Sequence, residues 1–105
     1  MDITAIKGEK VFSPFDGKLI RRAVPYKNDP RYEGVVIRGV EEWTGYEVKI
    51  FYVEGLLSGE VKAGQEIGLV QDLTKKYPSI TNHIHIEVRK NDKLMDPFDL
   101  WQMSF

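Results

Sequence analysis

The stretch Thr81-Asn82-His83-Ile84-His85-Ile86-Glu87-Val88 alternates polar and apolar residues without a break from His83 onward. Successive side chains of an extended strand point to opposite faces, so His83, His85 and Glu87 share one face and Ile84, Ile86 and Val88 the other. The apolar face seals a core and leaves the histidine face for another purpose. The same period recurs at Tyr46-Glu47-Val48-Lys49-Ile50-Phe51-Tyr52-Val53, where Tyr46, Val48 and Ile50 separate from Glu47 and Lys49 to give a long central strand. No stretch of a dozen residues carries a helical i, i+3, i+4, i+7 stripe free of Gly or Pro. The chain reads as all-β.

Turn chemistry supplies the punctuation. Val11-Phe12 runs into Ser13-Pro14-Phe15-Asp16-Gly17, and Lys18-Leu19-Ile20-Arg21 leaves it, which reads as a hairpin. Pro25 to Gly34 is a polar loop, Gly34 to Arg38 a strand, and Glu41 to Gly45 a turn. A loop from Asp72 to Ser79 precedes a strand over Ile80 to Arg89. Asp96-Pro97 reads as an N-cap followed by Pro at the first helical position, with one short helical turn over Phe98 to Met103 and Trp101 packed beneath it. Lys7-Gly8-Glu9-Lys10-Val11 and Ala63-Gly64-Gln65-Glu66-Ile67 share a turn glycine, two polar residues and a β-branched residue. That similarity reads either as an internal duplication or as a turn type that recurs in any β protein.

With 105 residues the chain is expected to form one domain over 1–105. Hydrophobic residues at 42% and charged residues at 30% place it between membrane and disordered compositions. The net charge of −1 comes from interspersed signs, with like charges only in pairs such as Arg21-Arg22, Glu41-Glu42 and Lys75-Lys76. That pattern gives no footprint for nucleic acid. No window approaches the ~20 apolar residues that span a bilayer, so no membrane insertion is expected, and the first residues carry no signal-peptide pattern. The chain has no cysteine, so metal or acid-base chemistry falls to Asp, Glu and the two histidines. A His-Xaa-His on a strand lets one imidazole coordinate a metal while its neighbour reaches a bound water or substrate oxygen. It equally describes a hydrogen-bonded pair on a solvated sheet face.

The setting of the histidine pair adds a resemblance. Asn82 to Arg89, followed by Lys90-Asn91-Asp92-Lys93-Leu94-Met95-Asp96-Pro97-Phe98-Asp99-Leu100, is similar to the end of the lysostaphin-type zinc endopeptidases. Val11 to Ile20 and Val61 to Gly68 resemble two further segments of that family, so the likeness runs from Asp2 to Leu100. Within the family the sequence resembles the leukocyte cell-derived chemotaxin branch at Pro25-Tyr26, Lys49-Ile50-Phe51-Tyr52 and Lys76-Tyr77-Pro78-Ser79-Ile80. That branch keeps the fold and a zinc site but is regarded as lacking peptidase activity, and its secreted members carry cysteines absent here.

The resemblance implies a duplicated hybrid motif, a mostly antiparallel sandwich or barrel-like sheet with a groove. It implies zinc as cofactor, with Asp2 as carboxylate ligand, His85 as imidazole ligand and His83 acting on substrate or water. The family's first ligand, a histidine four residues before the aspartate, falls upstream of Met1; Met1-Asp2-Ile3 resembles the interior of the ligand run, so a start truncated from a longer parent is one expectation. Active members place a histidine donor where this chain has Glu54, in Tyr52-Val53-Glu54-Gly55. An ionised carboxylate cannot donate to an oxyanion. Glu54 is left to act as a general base or as a surface glutamate, and Tyr77, Tyr52 and Glu54 are expected along the groove.

The first expectation is thus a non-catalytic module that binds a peptide, peptidoglycan or a protein ligand through an incomplete zinc site. An active peptidase cleaving peptidoglycan cross-links is the alternative. A histidine phosphocarrier ranks last, because such carriers draw their two histidines from different strands. The family implies an extracellular or cell-envelope location for a longer parent.

Overall fold

The computed structural model describes residues 1–55 and 58–104, with side chains as far as Leu100. Ten strands and a terminal helix appear in the order β1 (Asp2–Thr4), β2 (Lys10–Phe12), β3 (Gly17–Ala23), β4 (Gly34–Gly39), β5 (Tyr46–Phe51), β6 (Val53–Gly55), β7 (Gly59–Val61), β8 (Glu66–Val70), β9 (His83–Lys90), β10 (Lys93–Met95) and α1 (Pro97–Ser104). The large sheet runs β1-β9-β5-β4-β3-β7, with β10 also paired to β9, and the small sheet runs β2-β8-β6. All of these pairings are antiparallel, and neither sheet closes into a barrel.

Alternation positions the core. On β9 the residues Ile84, Ile86 and Val88 are buried while His83, His85 and Glu87 are half-buried, and on β5 Tyr46, Val48 and Ile50 are buried in the same rhythm. One cluster joins these to Val11, Val53, Ile67 and Val70 of the small sheet and to Leu100 of α1. Apolar burial between the two sheets therefore turns the histidine side of β9 away from the core.

The two glycine turns are structurally equivalent. Gly8 and Gly64 have φ of +87° and +79°, values open to glycine because it lacks Cβ. The Gly8 N–H donates to Val70 O (2.8 Å) and the Val70 N–H to Glu9 O (2.9 Å). Correspondingly, the Gly64 N–H donates to Ser13 O (2.8 Å) and the Ser13 N–H to Gln65 O (2.9 Å). The two turns lie at opposite ends of the antiparallel β2–β8 pair and make matching hydrogen bonds across it, with a register shift between Val11 and Phe12.

Several expectations are corrected. Val11 to Arg21 does not form a hairpin: β2 pairs with β8, and β3 with β4 and β7. The intervening Phe15 is fully buried, and Asp16 Oδ1 accepts from the Ala63 N–H (2.8 Å), so the turn carries the chain from one sheet to the other. The long strand over Tyr46 to Val53 is broken at Tyr52, whose φ of +68° bends the chain out of β5 and into β6 of the small sheet. The N–H groups of Tyr52 and Val53 both donate to Glu33 O, at 2.7 and 3.0 Å, which holds the corner. Glu41–Trp43 forms a 3-10 turn, and the histidine strand begins at His83 rather than Ile80. Asp96 Oδ1 accepts from the Phe98 N–H (2.9 Å), the expected cap, and the helix extends to Ser104. Trp101 lies outside the described side chains. Among the described residues no helix is long and apolar enough to cross a membrane.

Candidate functional site

Strand pairing builds the site. β1 lies on the edge of β9 with Asp2 opposite His85 and Thr4 opposite His83, while Phe51 of β5 faces His85 from the other side. Residues directly opposite in an antiparallel pair share a face, so Asp2, His83, His85 and Phe51 meet on the outward side of the large sheet. The His85 Nδ1–H donates to Asp2 Oδ1 at 2.6 Å, and the other carboxylate oxygen lies 3.9 Å from His83 Nε2. The His85 ring stacks on Phe51 (centroids 6.0 Å, 21°), with its Nε2 3.4 Å from Glu87 Oε1. His83 Nδ1 is 3.0 Å from Thr81 O. A carbonyl only accepts, so Nδ1 carries the hydrogen, and in the neutral ring Nε2 is left as an acceptor facing Asp2.

The hydrogen bond from His85 holds the Asp2 carboxyl below its usual range, assisted by the charges of His83 and His85 and opposed by partial burial. The carboxylate therefore remains ionised across the neutral range. Zinc sites take three or four protein ligands. Here Asp2 and His85 are bonded directly to one another, and among the described residues no group of three or more His, Cys, Asp and Glu is arranged to hold a metal ion. The described donor set does not fit a zinc ion.

Tyrosines form one wall beside the histidines. Tyr52 meets His83 edge-to-face (centroids 5.5 Å, 84°), Tyr26 stacks on Tyr52 (6.0 Å, 29°), and Tyr77 meets Tyr26 edge-on (6.3 Å, 65°). Of the three residues expected along a groove, Tyr52 and Tyr77 thus join a continuous aromatic surface with His83. Glu54 is exposed on β6 and lines a different, shallow recess with Lys7, Arg31, Tyr32, Gln71, Asp72 and Lys75. Sequence reading missed Phe51 and Tyr26. Phe51 shares its parity with Glu47 and Lys49, so alternation on β5 already placed it on the outward face; Tyr26 sits in a loop with no periodic signal.

The wall is tied down by Asp29, which is 8% exposed. Arg31 grips it through Nε (2.8 Å) and Nη2 (2.9 Å), and Lys76 Nζ adds a third contact at 3.2 Å. Arg31 first, then Lys76, hold the Asp29 carboxyl far below its ordinary 3.8, against the opposing effect of burial. A depressed folded value means stability that is present above the unfolded value and lost as pH falls through the folded one. Asp29→Asn is therefore expected to lower the melting temperature at neutral pH, with the gap to wild type constant down to about pH 4 and closing progressively at lower pH. Thermal unfolding of the two proteins across that range checks this; a gap that widened on acidification would contradict it.

A two-sheet antiparallel fold with an Asp–His pair bridging its edge strand to a His-Xaa-His strand is that of the lysostaphin-type peptidases. The model of Peptidase family M23 matches residues 1–97, and the chain belongs to that family. Leukocyte cell-derived chemotaxin-2 of Bos taurus is 37% identical over 99 residues, covering 92% of this chain and 61% of that protein. The protein of the same name from Mus musculus is 34% identical over 89 residues, covering 83% and 56%. The chain thus spans less than two thirds of each of these relatives. Among solved structures, a zinc-containing peptidase from Vibrio cholerae superposes with a TM-score of 0.65 at 27% identity, over 90% of this chain and 28% of that one. Lysostaphin matches with a TM-score of 0.72 over 98% of this chain and 42% of its own, and at 19% identity this likeness concerns the fold alone.

Proposed function

We propose that this chain is a non-hydrolytic binding module of the M23 fold, which holds a peptide, a peptidoglycan fragment or a protein segment across the face carrying His83, His85, Tyr52 and Tyr77. The direct Asp2–His85 hydrogen bond carries the reading: the two groups with ligand chemistry satisfy each other. In this reading Asp2 and His85 are the remnant of a zinc site, His83 contacts the ligand, and Glu54 stands where active relatives are expected to have a donor. An extracellular or cell-envelope location fits such ligands. A second reading, an active zinc endopeptidase completed by a histidine from outside this chain, is favoured by the likeness to the Vibrio cholerae peptidase and by the convergence of Asp2 on His85.

Sedimentation with purified peptidoglycan and assay of newly released amino groups, both with zinc present, separates the two. The expected result is retention in the pellet without release, weakened several-fold by His83→Ala. Release that disappears with a chelator and with His83→Ala would establish the peptidase instead.

A further inference from the structure

We propose that Tyr26, Tyr52, Tyr77 and Lys76 form a subsite for a ligand carboxylate at the end of the histidine face. The inference rests on the binding reading above and adds the chemistry of one end of the ligand. Its geometry begins with the phenols. The Tyr26 and Tyr52 hydroxyls are 3.1 Å apart. The Tyr77 hydroxyl also engages Tyr26, and two hydrogen bonds among three hydroxyls use two of their three protons, so the cluster retains one O–H for an outside acceptor. Burial, and then the neighbouring Tyr52 and Tyr77 hydroxyls, hold the Tyr26 phenol well above its usual value, which keeps it a proton-bearing donor.

Charge points the same way. Asp29, Arg31 and Lys76 form a group in which two cations share one carboxylate, so the group carries one unit of net positive charge. Arg31 occupies both Asp29 oxygens in a fork, the stronger geometry for a carboxylate. Lys76 gives Asp29 one contact, and its Nζ lies 4.8 Å from the Tyr26 ring centroid and 5.9 Å from that of Tyr77. An ammonium has three N–H donors, so Lys76 keeps donors beyond the one used on Asp29. Lys76 and Tyr77 also line an open recess with Pro78, Ser79 and Ile80, and Tyr77 is 41% exposed. A ligand entering there meets Lys76 and Tyr77 beside the apolar edge of Pro78 and Ile80, and Tyr77 in turn packs edge-on against Tyr26. The other end of the face carries the Asp2 and Glu87 carboxylates, which repel an anion. The face is thus electrostatically directional, with its anion-accepting end at Lys76.

N-acetylglycylleucine, as the free acid and as its carboxamide, provides the test in NMR titrations of the tyrosine ring signals. The acid is expected to bind about 10-fold more tightly than the amide at low salt, and the preference to shrink as salt screens the charge. Lys76→Met is expected to remove the preference. Tyr26→Phe and Tyr52→Phe, which keep the stacked rings and serve as a check should Lys76→Met disturb the loops, are expected to weaken the acid more than the amide. Equal binding of acid and amide at those rings would overturn the carboxylate subsite while leaving the binding reading in place. Shifts absent for both forms would remove both, and a preference that survives all three substitutions would place the anion elsewhere.

Discussion

Lengthening the chain at Met1 by His-Xaa-Gly, so that a histidine stands four residues before Asp2, is expected to tighten zinc binding by more than about 100-fold. Losing a group that merely orients a metal ligand typically costs about 10 to 100-fold in affinity, and gaining a direct ligand at a two-donor site exceeds that. The Asp2–His85 pair is already convergent at 2.6 Å, so most of the ordering needed for two ligands is in place before the ion arrives. Four residues of straight strand span about 13 Å, too far for two side chains to share an ion, so the added glycine has to bend the chain back over β9. Valine in place of that glycine should therefore abolish most of the gain. Zinc at His85 Nδ1 would also shift the ring hydrogen to Nε2, which lies 3.4 Å from Glu87 Oε1, and because an imidazolium has no lone pair for a metal, binding is expected to weaken as pH falls. Calorimetric zinc titrations of both chains at several pH values measure the gain and its pH dependence. Unchanged affinity in the lengthened protein, or a gain that survives His85→Ala, would show that Asp2 and His85 are not metal ligands.

The parts legible in the sequence are those whose signal is local. Alternation from His83 to Val88 gave the buried and outward faces of β9, because a strand's two faces follow from a period of two wherever one side is apolar. Asp96-Pro97 marked the helix start through chemistry confined to three residues. The Asp2–His85 contact spans 83 positions and no spacing rule predicts it; only the family resemblance brought those residues together. Turn residues from Ser13 to Gly17 announced that the chain turns but not where it goes next, which is why a hairpin was expected where the chain changes sheets. Tyr52 is the sharpest example. A bulky residue in the left-handed region is strained, and its composition gives no warning, since three hydrogen bonds to Glu33 and Gln71 from distant segments impose the conformation. The Tyr26–Lys76–Asp29 cluster joins two loops 47 positions apart, where neither periodicity nor motif operates.

Phe15→Ala is expected to destabilise the protein by about 3 to 5 kcal/mol, the range for truncating a fully buried aromatic ring. Phe15 has no exposed surface, stacks on Trp43 (centroids 5.6 Å, 24°) and leans on Tyr46 (6.4 Å, 56°). It also sits at the crossing from the small sheet to the large one, where the Ser13 hydroxyl donates to its carbonyl at 2.7 Å. That buried turn cannot easily collapse onto the space a lost ring leaves, because Trp43 and Tyr46 are held by a 3-10 turn and a central strand. In a domain of this size the loss corresponds to a melting temperature lower by on the order of 15 to 30 °C. Phe12→Ala, three residues earlier at a residue that is 51% exposed, is expected to shift it by only a few degrees. The contrast isolates burial from aromatic content, and thermal unfolding by circular dichroism reads both variants directly. Below its melting point the Phe15→Ala protein should still retain peptidoglycan, because the altered core lies on the opposite side of β5 from Phe51 and the histidines. Similar melting temperatures for the two variants would mean that Phe15 does not join the sheets as described, and retention lost well below the transition would mean that the histidine face depends on that core.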